Sequence, residues 1–203
     1  MNLVLLLSLG ALGPGVHAHS DGLGPYFQGS GLAHIGTSGE YPATLNVSCY
    51  IPTRLALYVE LRERDVRSAL DDHGPVDSRA VGADARARVT WSTTSTRFAA
   101  AALFHGEPMA EPAPTVVPLR AGEPLYSFVS TSAPTNDELL PLLVSVAAEP
   151  GTLTWTLPSS IRGSAPLVAR FELDARAAAT LHEAASSCAK AAADSAAEST
   201  LHR

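Results

Sequence analysis

Asn46-Val47-Ser48 has the Asn-x-Ser spacing at which an amide nitrogen accepts a glycan, and Cys49 follows directly. Cys49 and Cys188 are the chain's two cysteines. Two thiols behind a secretory leader predict one disulfide. By chain entropy, a bridge closing so long a loop stabilises by about 4–5 kcal/mol. Both signals fit one strand. Period-two alternation puts Asn46 and Ser48 on one face, and Cys49 on the other with Leu45 and Val47. The expectation is an outward glycan and an inward thiol. A second cluster, Asp71, Asp72, His73 and Asp77, offers hard oxygen ligands and an imidazole. Its spacing does not fit a twelve-residue calcium loop, and acidic residues beside Gly74-Pro75 suit a turn that accepts backbone N–H bonds. The chain has no G-x-S-x-G, no Walker or dinucleotide glycine loop and no C-x-x-C. His182 and Cys188, six positions apart on a helix, stand about 9 Å apart on different faces. No catalytic residue and no cofactor are therefore expected.

The first eighteen residues read as a signal peptide. Leu3 to Leu9 form an apolar run, Gly13-Pro14-Gly15 break it, and Val16-His17-Ala18 fits the small-residue cleavage rule. The run is too short to span a bilayer, and no later stretch reaches eighteen apolar residues, so no transmembrane span is expected. Cleavage after Ala18 would make His19 the first residue. A free α-amine and an imidazole chelate copper well, and His34, His73 or His105 could add a third nitrogen. This resembles the histidine brace of lytic polysaccharide monooxygenases, which are secreted β-sandwich proteins. The resemblance covers His19 and the overall class alone. It implies a copper-dependent secreted oxidase as an alternative to the non-enzymatic reading.

Charged residues are 17% of the chain, net charge is −6, and Lys190 is the single lysine. That balance argues against nucleic acid and anionic membrane surfaces, both of which want a basic patch. A protein partner in the endoplasmic reticulum (ER) lumen or outside the cell fits better.

The elements that must position Asn46 and the cysteines follow from periodicity. His19 to Glu40 holds six glycines and reads as an extended, loop-like arm. Ala43, Leu45, Val47, Cys49 and Ile51 alternate with polar residues, as do Leu55, Leu57, Val59 and Leu61. Arg62 to Arg86 is a charged surface excursion opening with a helical turn or two. Val89 and Trp91 mark a third strand. Phe98 to Phe104 is apolar but alanine-rich, so strand and short helix stay open. Glu107 to Pro124 is proline-punctuated edge strand or loop. Leu125 to Ser130 is a strand; Leu142, Val144 and Val146 mark another; Thr152 to Leu157 is a third, after a Glu149-Pro150-Gly151 turn. Leu167, Ala169, Phe171 and Leu173 give the last. Ala175 to Ala197 contains twelve alanines and predicts a helix, whose stripe Ala177, Leu181, Ala184 and Cys188 would dock. The predicted fold is mainly β: an antiparallel β-sandwich of about 7–9 short strands with a C-terminal Ala-rich helix. Its divisions are a signal peptide (1–18), a Gly-rich arm (19–41), the β-domain (42–174) and the helix with a frayed tail (175–203).

"ATLNVSC" has the look of an immunoglobulin B strand, but the tryptophan about a dozen residues later is missing, and Cys188 lies in the alanine-rich segment. Tyr126 to Trp155, "YSFVSTSAPTNDELLPLLVSVAAEPGTLTW", is similar to a stretch of subunit 10 of the ER membrane protein complex. Tyr126, Phe128, Val129, Leu139, Leu142, Val144, Val146 and Gly151 fit; Thr131-Ser132 stand where that family usually has Ala-Cys. The resemblance implies a lumenal β-sandwich and a non-catalytic role in a membrane-protein insertion machine.

Overall fold

The computed structural model of the protein describes residues 15–17, 26–49, 55–62, 64–66, 86–105, 125–131, 138–146, 149–159 and 163–201. Nine strands are described: β1 (Gly15–His17), β2 (Tyr26–Ile35), β3 (Tyr41–Cys49), β4 (Leu55–Arg62), β5 (Arg86–Ser92), β6 (Arg97–His105), β7 (Leu125–Thr131), β8 (Gly151–Leu157) and β9 (Leu167–Leu173). Helix α1 (Leu139–Val144) lies between β7 and β8, and helix α2 (Ala175–Leu201) follows β9.

Every pairing is antiparallel. The strands join in one sheet, in the order β1-β2-β3-β4-β7-β6-β5-β8-β9. This is the mainly β, antiparallel architecture with a C-terminal helix that the periodicity predicts. The strands run through a single curled sheet. It meets itself where Leu32 on β2 lies opposite Arg170, and Ile35 opposite Leu167, on β9. β1 pairs with the opening residues of β2, outside the ring that β2–β9 closes. Cleavage after Ala18 would remove β1 and leave that ring whole.

Alternation sorts the sheet into two faces. Phe27, Leu45, Val47, Leu55, Leu57, Val59, Leu61, Val89, Trp91, Leu153, Trp155 and Phe171 are almost completely buried. The register places them together on one face: Val47 faces Phe27 and Leu57, and Trp155 faces Val89. Burying each such side chain contributes about 1.5–3 kcal/mol. Outward positions of β8 and β9 are polar apart from Val168, with Thr152 Oγ1 donating to Glu172 Oε2 at 2.7 Å.

Three sequence expectations change. The Gly-rich arm holds β2, paired on both edges. Its glycines permit close approach: a Cβ on Gly31 would run into the Arg170 carbonyl oxygen and the Phe171 ring. The segment marked by Leu142, Val144 and Val146 begins as helix α1. Leu139, Leu142 and Leu143 are its buried residues, and Val146 just beyond it is buried too, a spacing of three and four. Pro141 sits in the first turn, where no N–H is required. The Glu149-Pro150-Gly151 turn therefore leads from α1 into β8, and Gly151 lets the Trp91 ring pass, since a Cβ there would lie 2.5 Å from Trp91 Cζ2. Phe98 to Phe104 resolves as strand β6. The 107–124 stretch and most of the 62–86 excursion lie outside the described residues.

Asp174 caps α2, its Oδ1 accepting the Ala177 N–H at 2.7 Å. The predicted stripe Ala177, Leu181, Ala184 and Cys188 is buried, joined by Ala178 and Ala185. Beyond Cys188, no side chain of α2 among the described residues is fully buried.

Candidate functional site

Cys49 ends β3 on the apolar face, half-buried, and Cys188 closes the buried stripe of α2. The two form a disulfide across 139 positions, with Cα atoms 5.5 Å apart. The bridge ties the helix to the ring at the strand that also carries the sequon.

His182 makes a second tie. Its Nδ1–H donates to the Val144 carbonyl at 2.8 Å, one of the carbonyls that α1 leaves unpaired at its C-terminus. That fixes the tautomer, so Nε2 accepts from Ser186 Oγ at 3.3 Å. A serine–imidazole–carbonyl chain has the donor order of an activated hydroxyl, but here the imidazole is spent holding α1 against α2. The link escapes a sequence reading because it depends on where α1 ends.

The outward face of β3 and β4 is polar yet covered. Thr44 lies opposite Glu60 and Asn46 opposite Tyr58. Glu60 is 2% exposed. Burial pushes its carboxyl up to about 7, with the Asn46 side chain acting in the other direction by favouring the charged form. Desolvation prevails: Asn46 Nδ2 itself has no hydrogen-bond partner of normal geometry. Asn46 does face away from Cys49, as alternation requires. The residue is half-buried, and its Nδ2 is turned away from solvent. Glu60 was legible as an outward residue but not as a buried one, because its cover does not come from its own strand pattern.

The sign of the resulting pH dependence is fixed. Glu60 has a folded value above its unfolded one, so the folded state holds the proton longer. Its stabilising contribution is complete below the unfolded value, is lost as pH rises between 4.5 and about 7, and is constant above. The loss is about 3 kcal/mol, from about 1.4 kcal/mol per pKa unit. Glu60→Gln removes this slope. In urea titrations from acidic to mildly alkaline pH, the variant is expected to gain on wild type progressively through that window. A pH-independent difference would show that Glu60 is not desolvated.

Of the candidate metal ligands, His34 and His105 fall among the described residues. His19 and His73, with Asp71, Asp72 and Asp77, lie outside the described residues. His34 is half-buried on the outward side of β2, opposite Val168, and His105 ends β6 opposite Val129. Among the described residues, no group of three His, Cys, Asp or Glu side chains is placed to hold a metal ion. Among those same residues, no helix is long and apolar enough to cross a membrane. Comparison with protein families, with characterised proteins and with solved structures gives no match to this chain.

Proposed function

We propose that this chain is a non-enzymatic domain of the secretory pathway that acts by protein contact. The observation that carries the reading is the Cys49–Cys188 bridge, which is compatible with an oxidising lumen or the extracellular space. The surface offers contact area in three places: Leu32 is 46% exposed, Phe98 is 44% exposed, and the part of α2 beyond Cys188 rests on no buried side chain among the described residues. Phe98 and Leu32 sit on well-separated strands of the sheet order, so they serve as separate anchors rather than one patch.

The narrower form of this proposal is a lumenal accessory subunit of the ER membrane-protein insertion complex. It is supported by the Tyr126–Trp155 resemblance. That stretch runs through β7, α1 and β8; the aromatic strand and the leucine-bearing segment fit, while helix α1 stands where the resemblance implies the first strand of a pair across the glycine turn. Affinity capture of the tagged full chain from detergent-solubilised membranes is the test. Recovery of membrane-bound insertion-complex subunits is expected. Recovery from the culture medium alone, without such partners, would remove the narrower form and leave a secreted binding protein.

A further inference from the structure

The edge of β2 that faces away from β3 is shared by two strands. From Leu32 to Ile35 it pairs with β9, and from Tyr26 to Gln28 with β1. Both run antiparallel to β2, so β1 takes up the line that β9 leaves. β9 leaves it at Arg170. Past that residue its described pairing is with β8 alone, and the chain turns into α2, which packs against β1, β2 and β3. The stretch of edge that β9 does not pair, Tyr26-Phe27-Gln28-Gly29-Ser30, holds no charge and no proline. Charges and prolines are the devices by which a sheet keeps its edge from recruiting other chains. Here the cover is β1, and β1 consists of Gly15, Val16 and His17, residues of the predicted leader. Its removal breaks neither the β2–β9 closure nor the Cys49–Cys188 bridge. It does bare about 17 Å of strand edge.

We propose that this edge is a strand-addition site for an extended segment of a partner polypeptide, masked by β1 in the precursor and opened when the leader is removed. The inference rests on the secretory reading above and names how its protein contact is made. β1 shows what the site accepts. The guest runs antiparallel to β2, with a small residue opposite Gln28 and a β-branched apolar one opposite Phe27, the positions that Gly15 and Val16 hold. Phe27 is fully buried on the apolar face, so the guest residue opposite it extends that face. Main-chain hydrogen bonds supply the affinity, and the alternate side chains supply the choice of guest. Leader removal is then the step that converts a covered edge into a binding one, with no rearrangement of the ring.

Residue-resolved amide hydrogen exchange on three forms is the test. They are the full 203-residue chain refolded under oxidising conditions, Val16→Pro in that chain, and the chain beginning at His19, secreted behind an independent cleavable leader. Proline cannot donate to a ladder, so Val16→Pro bares the edge with the rest of the chain retained, and it carries the comparison alone if the shorter chain does not fold. The probe is a synthetic peptide of Leu12 to Ala18, and its control carries proline in place of Val16. The amides of Tyr26 to Ser30 that point away from β3 are expected to exchange at least about tenfold faster in the two bared forms than in the full chain. Millimolar peptide is expected to restore slow exchange there, and the control peptide to leave it fast. Equally slow exchange in all three forms without peptide would mean that another part of the chain covers the edge. Fast exchange that the peptide leaves unchanged would mean that the edge takes no guest. Protection that rises with the concentration of the bared chain itself would assign the edge to a second copy. Each of these three results overturns the proposal. Sequencing the amino terminus of the chain secreted under its own leader tests the secretory reading separately. A start other than His19 removes that reading, while peptide protection of the bared forms still decides the site.

Discussion

Cys49→Ala with Cys188→Ala is expected to lower the unfolding free energy by about 4–5 kcal/mol, the chain-entropy value for so long a closed loop. The residues between the cysteines include β4 to β9 and the first half of α2, so the bridge restrains six of the nine described strands in the unfolded chain. Marginal domains hold about 5–15 kcal/mol in total, and a loss of this size leaves a small reserve. The helix has little else to hold it. Its docked stripe is mostly alanine, from Ala177 to Ala185, and an alanine buries far less area than a leucine. Leu181 and the His182–Val144 hydrogen bond remain as the other ties. Urea unfolding of the double variant against wild type under oxidising conditions measures the effect. The helical signal of α2 is expected to be lost at lower urea than the tryptophan signal of the sheet, which reports Trp91 and Trp155. Coincident loss at the wild-type midpoint would mean that the bridge contributes nothing.

Gly31→Ala is the second large effect, a loss of about 3 kcal/mol, the upper end of ordinary overpacking. The added methyl would meet the Arg170 carbonyl and the Phe171 ring. A flexible side chain could step aside, but Arg170 O belongs to β9, at the seam where β2 and β9 close the ring. Relief requires separating those strands, and Leu32, Ala33, His34 and Ile35 would lose their pairing together. Gly39 is the control. Nothing lies within 4 Å of a Cβ built there, so Gly39→Ala is expected to stay within about 0.5 kcal/mol of wild type. Equal effects from the two substitutions, measured by thermal unfolding, would refute the close-approach explanation.

How much of this was written in the chain depends on whether a signal was local. Ala43 to Cys49, Leu55 to Leu61 and Leu167 to Leu173 alternate cleanly, and the strands lie where the alternation puts them. The helical stripe that ends at Cys188 was equally plain, because alanine propensity and a three-four spacing agree. Local pattern failed at β2. Six glycines between His19 and Glu40 look like loop composition, yet Gly31 among them lets β9 and the Phe171 ring approach, a demand set by a strand more than a hundred residues away. It failed again at α1, where Leu142, Val144 and Val146 alternate, but the longer Leu139-Leu142-Leu143-Val146 spacing matches the surface offered by α2. The site was half legible. Alternation alone separated Asn46 from Cys49. That the outward face would be covered at Glu60 was not, since cover comes from tertiary packing and not from the strand itself.

The central claim is that one bridge between β3 and α2 organises the domain. It is tested most directly by peptide mapping of the full chain after thiol blocking, with and without reduction. The expected result is a reducible linked pair, one peptide containing Cys49 and the other Cys188, with neither thiol blocked beforehand. Recovery of both cysteines as blocked thiols from folded protein would contradict it.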